Sequence, residues 1–310
     1  MGANLFCRTN QAVYPRIWSL AMKKSEISEP KSHSDVLGAI ARQIDLTAAQ
    51  RELAEQRYKS FGKWLERPGS GVSEFDPHIH PQGSMLLGTV TRPLGDADEF
   101  DVDLVSKVHL SLHDVSQAEL KRLIGVEVKG YAKAHGIIAP VEEGKRCWTL
   151  IYADDTSFHM DILPAIPSAS RSIGYDVSLA VPEFSGHHSD SIIDITDNTH
   201  PHYEKISTDW LSSNPLGYAK WFQKRMAVEA LRLKAELIKS EAIYAKVDDV
   251  PDYKVKTPLQ QVIQLLKRHR DVMFEGDEDK PISIIITTLA AQAYNNESDL
   301  ALAMRNILGK

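Results

Sequence analysis

The sequence predicts an α+β chain, with short strands through its middle and helices filling the last third. Three observations carry that reading. Glu99 to Val105 alternates apolar and polar residues, the period of a half-buried strand. Ser157 to Leu163 repeats the pattern, with Phe158, Met160 and Ile162 on one face. From Leu216 onward, apolar residues recur at helical spacing instead.

Taken in order, residues 22–34 are polar and are expected to be loose. Ser34 to Leu65 reads as helical, with Leu46, Ala49, Leu53, Arg57 and Tyr58 at helical spacing and a start near Asp45 or Thr47. Pro68-Gly69-Ser70-Gly71 ends it. Gln82-Gly83-Ser84 leads into the apolar run Met85-Leu86-Leu87, and Pro93 to Asp98 reads as a loop. Residues 116–135 read as a helix. Cys147 to Tyr152 reads as a strand, joined to the Ser157 strand by a turn at Asp154-Asp155. Pro164 to Asp197 is rich in Pro, Ser, Gly and Asp and reads mostly as loop. Leu216 to Ile243 places Phe222, Met226, Ala230, Leu233 and Leu237 on one side of a helix. Thr257-Pro258 starts another, because Pro suits the first turn, and Leu259, Val262, Ile263 and Leu266 form its apolar stripe. Pro281 opens a helix that is apolar nearly all round, the pattern of a buried segment.

The 310 residues suffice for one large or two modest domains. A net charge of -6 argues for small substrates, since a grip on long nucleic acid usually needs a basic excess. No apolar run approaches the ~20 residues of a membrane span. Cys7 and Cys147 give no disulfide framework and fit a reducing cytoplasm. Met22-Lys23-Lys24 fits a true start, which would make residues 1–21 a poorly packed upstream extension.

The candidate chemistry begins at Asp101 and Asp103. They alternate with Phe100, Val102 and Leu104, so both carboxylates leave the same face of their strand. Clustered carboxylates repel, and a divalent cation relieves them. Alone, the pair also fits a solvated strand face. Asp161 lies opposite the apolar face of its own strand, together with His159. If the two strands are neighbours, three carboxylates converge, enough for two metal ions ~3.5–4 Å apart in phosphoryl transfer. Asp161 would then help accept a hydroxyl proton. His159 reads as structural. Gly83-Ser84, just before, joins a residue that permits close backbone approach to a hydroxyl beside free N–H groups, a phosphate cradle.

Three stretches together resemble the bacterial cGAS-like nucleotidyltransferases, the CD-NTases of the polymerase-β-like superfamily. They are Pro81-Gln82-Gly83-Ser84-Met85-Leu86-Leu87-Gly88-Thr89, Glu99-Phe100-Asp101-Val102-Asp103-Leu104-Val105 and Phe158-His159-Met160-Asp161-Ile162-Leu163-Pro164. The likeness continues through Ser213-Asn214-Pro215-Leu216-Gly217-Tyr218-Ala219-Lys220-Trp221-Phe222, Thr257-Pro258-Leu259-Gln260, Arg270-Asp271 and Pro281-Ile282-Ser283-Ile284. It spans roughly residues 45–305 in order. The resemblance implies a polymerase-β-like core with a mixed sheet, a helical lobe, and an active site in the cleft between them. On that basis residues 1–33 form an extension, 34–200 the core with its N-terminal helix, and 201–310 the helical lobe. Similar enzymes continue through further helices, so a truncated lobe is expected, with part of the Ile284–Ala293 surface uncovered.

The resemblance also implies an activity. ATP, GTP or other nucleoside triphosphates would be joined into a cyclic di- or trinucleotide second messenger, which switches on a partner effector in anti-phage (CBASS) signalling. Asp101, Asp103 and Asp161 would hold two Mg²⁺ ions, or Mn²⁺ in their place. Gln82, Gly83 and Ser84 would hold the donor phosphates, and Lys267 and Ser283 match positions that reach them from the helical lobe. From the residues alone, Lys267 is equally a cation on the solvated face Lys267-Arg268-His269-Arg270, and Ser283 a helix cap. Tyr218 could stack a base, while Trp221 suits packing. His187, His188, His200 and His202 lack a nearby Cys and the usual zinc spacing, so no zinc site is expected among them. Two other readings remain open: a related transferase that adds a nucleotide to RNA, a protein or a small molecule, and a catalytically silent nucleotide-binding or antitoxin-like module.

Overall fold

A computed structural model describes residues 32–93, 99–152, 158–168, 191–240, 255–277 and 279–309. The expectations for residues 1–21, for the Asp154-Asp155 turn and for His187 and His188 lie outside them.

The Ser34–Leu65 segment is two helices, α1 (His33–Ile44) and α2 (Ala48–Glu66). The break follows from capping. Asp45 is extended, and Thr47 closes a capping box with Gln50. Of the stripe read over residues 46–58, Leu46 is buried, Leu53, Arg57 and Tyr58 are half-buried and Ala49 is exposed, while the fully buried face of α2 runs through Ala54, Phe61 and Leu65.

Next come β1 (His78–Pro81), α3 (Gly83–Leu87), β2 (Phe100–Lys107), α4 (Gln117–Ala134), β3 (Glu142–Glu143), β4 (Trp148–Tyr152), β5 (Phe158–Pro167), β6 (Ile193–Ile195) and β7 (Leu211–Ser213). The sheet is mixed, in the order β1-β2-β5-β4-β3, with β6 and then β7 added beside the end of β5. Among the described residues, only β2 and β5 pair in parallel. The loop expected over Pro164–Asp197 is corrected at both ends. Residues 162 to 166 are all buried and extend β5, because a strand covered on both faces reads as a continuous apolar run rather than an alternation. Ile193–Ile195 is likewise buried and paired.

Helices α2 and α4 cover the sheet, with Phe61 edge-on to Tyr131 at 5.3 Å between ring centroids. Trp148 of β4 lies directly against Gly125 of α4 and donates from Nε1 to the Lys121 carbonyl at 2.9 Å. A Cβ on Gly125 would fall inside the indole. Helix propensity favours Ala over Gly by about 1 kcal/mol, whereas overpacking costs about 1–3 kcal/mol. Gly125→Ala is therefore expected to destabilise the protein in urea unfolding, and a variant as stable as wild type would show that the indole gives way.

The helical part comprises α5 (Pro215–Arg225), α6 (Ala227–Ser240), α7 (Pro258–Met273), α8 (Ser283–Ala293) and α9 (Leu300–Leu308). The single helix expected from Leu216 breaks at Met226, which leaves helical geometry. Phe222 and Met226 are buried, while Ala230, Leu233 and Leu237 are half-buried. A second core forms from Leu87, Tyr218, Trp221, Phe222, Leu259 and Ile263 with α8 and α9. Helix α8 is not buried all round: Ile284, Ile285 and Leu289 are exposed, opposite the buried Thr287, Ala290 and Ala291. Helix α1 packs on α7 and α9 rather than on the sheet. Since β7 keeps the chain in the sheet to Ser213, we propose the division between the lobes at Asn214, which caps α5. No helix of the described residues is long and apolar enough to cross a membrane.

One polar face of α7 ties the two parts together. Gln260 donates to the Leu87 carbonyl at 3.0 Å, Gln264 to Val90 at 2.7 Å and Lys267 to Thr89 at 3.1 Å. These residues fall at i, i+4 and i+7, so one stripe of α7 serves the carbonyls of Leu87, Val90 and Thr89 where the chain leaves α3.

Candidate active site

The parallel register of β2 and β5 sets Asp103 opposite Asp161 and Asp101 opposite His159. All four side chains therefore stand on one face of the sheet. Thr149 of β4 is the antiparallel partner of Asp161 and donates its hydroxyl to Asp161 Oδ1 at 2.5 Å. His159 pairs with Glu99, and its Nδ1 lies 3.8 Å from Asp101 Oδ1, so it stands between these two carboxylates.

The carboxylates are under electrostatic strain. Burial, with Asp101 and Asp161 nearby, pushes the Asp103 carboxyl up to about 6, against an easing influence from Lys267. The sets of three potential ligands that close to within 4.8 Å of one another lie elsewhere among the described residues, so the three aspartates share a face without drawing together. That is the arrangement expected of acceptor-only groups awaiting a cation.

The Gln82 N–H donates to the Asp103 carbonyl at 2.8 Å and fixes the turn that carries Gly83 against β2. Gly83 has φ +55°, and a Cβ there would lie 2.6 Å from Asp103 Oδ2. Only glycine allows the α3 backbone so near the carboxylates. Two cavities flank this point. One, of about 660 Å³, is mainly apolar, lined by Gly83, Asp103, Tyr218, Ile285, Thr288 and Leu289. The other, of about 320 Å³, is polar, lined by Ser84, Asp101, Lys267, Arg270, Lys280 and Ser283.

Lys267 is not on a solvated face. It is 4% exposed, and burial with Arg270 beside it pulls its ammonium down to about 8. Ser283 does not cap α8: Ile282 holds that position, and Ser283 Oγ accepts from Arg270 at 3.0 Å. The Tyr218 hydroxyl pairs with Thr288 at 2.9 Å, and its ring borders the apolar cavity; Trp221 is packed in the helical core. Sequence reasoning missed Thr149, Arg270 and Lys280. Arg270 was legible in principle, one turn beyond Lys267, but Thr149 meets Asp161 only through strand register, which leaves no local signal. Burial and the Asp161 charge push the Cys147 thiol up to about 11, which suits packing rather than reactivity.

No protein-family model matches the chain. Over 277 residues it is 30% identical to a c-di-GMP synthase of Roseivirga ehrenbergii, a match covering 89% of this chain and 64% of that protein. Over 272 residues it is 26% identical to the cyclic dinucleotide synthase CdnG of Bradyrhizobium diazoefficiens, covering 83% and 58%. The structure of the CD-NTase CdnG from the same organism, in complex with GTP, superposes with a TM-score of 0.63 at 25% identity, over 88% of this chain and 74% of that one.

In sequence and in fold the chain is similar to the bacterial CD-NTases.

It spans less than two thirds of the length of either curated relative. The mixed sheet and helical lobe are the polymerase-β-like fold of CD-NTases, and an E. coli CdnC structure shares that fold with a TM-score of 0.53 at 15% identity. His200 and His202 of the histidine-rich stretch face Asp209, and none of the three lines either cavity of the cleft.

Proposed function

We propose that this chain is the nucleotide-joining part of a cyclic dinucleotide synthase that uses GTP, and that its product activates an effector in cytoplasmic anti-phage signalling. One observation carries the reading. Asp103 and Asp161 are register partners with Asp101 on the same face, where an apolar cavity meets a polar, cationic one. The names of the relatives, a c-di-GMP synthase and a cyclic dinucleotide synthase, and the GTP bound to one of them support guanine nucleotides and a two-membered ring.

The reaction would proceed by displacement. A ribose hydroxyl of one triphosphate attacks the α-phosphorus of the other, a phosphodiester forms, the bond to the β-phosphate breaks, and pyrophosphate leaves. Repeating the step with the roles exchanged closes the ring. The donor set fits hard divalent cations, being carboxylate oxygens, with Asp103 pushed up to about 6 by burial and by Asp101 and Asp161 nearby and still mainly ionised at neutral pH. Asp101, Asp103 and Asp161 would hold Mg²⁺, or Mn²⁺ in its place. When bound, two such ions supply Lewis-acid activation of the hydroxyl and charge neutralisation at the pyrophosphate. Asp161 is placed to take up the hydroxyl proton. Gln82, Gly83 and Ser84 would lie along the donor phosphates, with Lys267, Arg270 and Lys280 opposing their charge from the polar cavity and Ser283 donating from α8. Tyr218 offers its ring to a base in the apolar cavity.

Incubation with all four nucleoside triphosphates and Mg²⁺, followed by mass spectrometry, tests the proposal. A guanosine-containing cyclic dinucleotide with release of pyrophosphate is expected; nucleotide found only on an RNA, protein or small-molecule acceptor would overturn it. Thr149→Val probes the Asp161 support. Loss of the orienting hydroxyl is expected to lower activity about tenfold at limiting Mg²⁺ and to be rescued as Mg²⁺ is raised. A defect that ignores Mg²⁺ would assign Thr149 to something other than holding the carboxylate.

A further inference from the structure

We propose that Asp76, His78 and His109 form a second metal site, for Zn²⁺ or a similar borderline cation, separate from the aspartates of the cleft. One ligand atom from each residue lies within 4.8 Å of the other two. Asp76 Oδ2 stands 3.1 Å from His78 Nε2 and 3.3 Å from His109 Nδ1. Zinc bonds of about 2.0–2.1 Å arranged tetrahedrally put neighbouring ligand atoms about 3.3 Å apart. Both distances already match that edge, so a cation enters without rearranging the backbone. Two imidazoles and one carboxylate favour Zn²⁺ over Mg²⁺.

The fold holds these ligands from three directions. Asp76 follows a short 3₁₀ turn (Ser73–Phe75) and takes φ +45°, a left-handed conformation seldom adopted outside glycine. His78 opens β1. His109 follows β2, and its N–H donates to the Phe75 carbonyl at 2.7 Å, pinning the turn to the exit of β2. Side-chain exposures of 69%, 53% and 45% leave the cluster open to incoming ions and to water as the fourth ligand. The site sits at the far end of the β1–β2 ladder from Gly83 and Asp103. His109 lies six residues on from Asp103, two of them past the end of β2, at most about 20 Å along an extended chain. A metal there would staple the start of β1 to the end of β2.

The other cluster, His200, His202 and Asp209, is the internal contrast. The His202 N–H donates to His200 Nδ1 at 3.2 Å, which keeps that nitrogen unprotonated and leaves the proton on Nε2. Nε2 is the atom facing Asp209, so it acts as a donor and not as a ligand. In the Asp76 cluster the inward nitrogens face oxygen acceptors, Asp76 Oδ2 for both and the Asp76 carbonyl at 3.3 Å for His109 Nδ1; no described group engages the outward nitrogens, Nδ1 of His78 and Nε2 of His109, so a metal would replace those hydrogen bonds as each proton moves to the outward nitrogen.

Zinc titration calorimetry on the whole chain, in excess Mg²⁺ to occupy the carboxylates of the cleft, tests this. One zinc per chain is expected, with a rise in melting temperature and, for Co²⁺, visible absorption of four-coordinate strength. His78→Ala, His109→Ala and the isosteric Asp76→Asn should each weaken zinc at least about tenfold and abolish the cobalt spectrum, while His200→Ala leaves both unchanged. Absence of saturable zinc binding in wild type, or binding that survives in folded His78→Ala and His109→Ala, overturns the proposal; so does loss on His200→Ala alone.

Discussion

Replacing Asp101 and Asp103 together by Asn is expected to reduce nucleotide joining by at least about a thousandfold while the protein stays folded. Asn keeps the size of Asp and much of its hydrogen bonding but removes the charge that would hold cations, and phosphoryl transfer relies almost wholly on positioning and charge stabilisation. The stability of the metal-free protein should move the other way. Asp103 is held near 6 in the folded state, above the usual carboxylate value. Below pH ~3.8 the group is protonated in both states and contributes nothing. As pH rises from there through 6, the unfolded chain ionises first, so folded wild type loses stability that Asp103→Asn does not lose. In EDTA at pH 7.5 the single Asp103→Asn variant should therefore gain roughly 1–2 kcal/mol, allowing for water at the cleft. Circular dichroism melts over pH 4–8, beside a product assay, check both arms. A folded double variant that forms product at the wild-type rate would dismiss the two-metal reading, and an Asp103→Asn melt that tracks wild type at every pH would dismiss the electrostatic strain.

Gly83→Ala should be the most damaging single methyl in the molecule. The added Cβ would sit 2.6 Å from Asp103 Oδ2, and φ +55° is strained for alanine by about 1–2 kcal/mol. Gly83 is exposed, so the strain is local and the fold should survive it. The chemistry should not, since a misplacement near 1 Å costs about a hundredfold in rate. Ser84→Ala is the control: it removes a hydroxyl from the polar cavity without pushing Asp103, and should lose less. Steady-state kinetics on both variants decide it. Equal losses would mean that the methyl never reaches the carboxylate and that Gly83 matters only for its backbone.

Much of the cleft was legible in the sequence because strand parity is a two-residue rule. Phe100, Val102 and Leu104 against Asp101 and Asp103 leave one choice of faces, and Phe158 to Ile162 leave another. The neighbouring of the two strands was not legible, because it depends on a crossover through α4, β3 and β4. The start read near Asp45 or Thr47 is the observed N-cap of α2, whereas the helix read on from Leu216 failed where the chain breaks at Met226. The strand at Ile193–Ile195 was hidden by the Pro- and Ser-rich composition around it. Lys267 illustrates a subtler loss. Four basic or titratable residues in a row look solvated, yet Leu87, Thr89 and Val90 at the end of α3, far away in sequence, offer their carbonyls to one stripe of that helix.

The parallel pairing of β2 with β5 has a kinetic consequence. Residues 103 and 161 meet only after the whole intervening crossover has been gathered in, so the contact is non-local and its loop entropy must be lost before any pairing repays it. The repulsion of Asp161 against Asp101 and Asp103 is added at that same moment. Closure of the sheet is thus the step at which chain entropy and like charge oppose folding together. A cation that screens the carboxylates acts on the folding barrier as well as on turnover, so refolding followed by stopped-flow fluorescence should quicken with added Mg²⁺ in wild type and be indifferent to it once Asp101 and Asp103 are Asn.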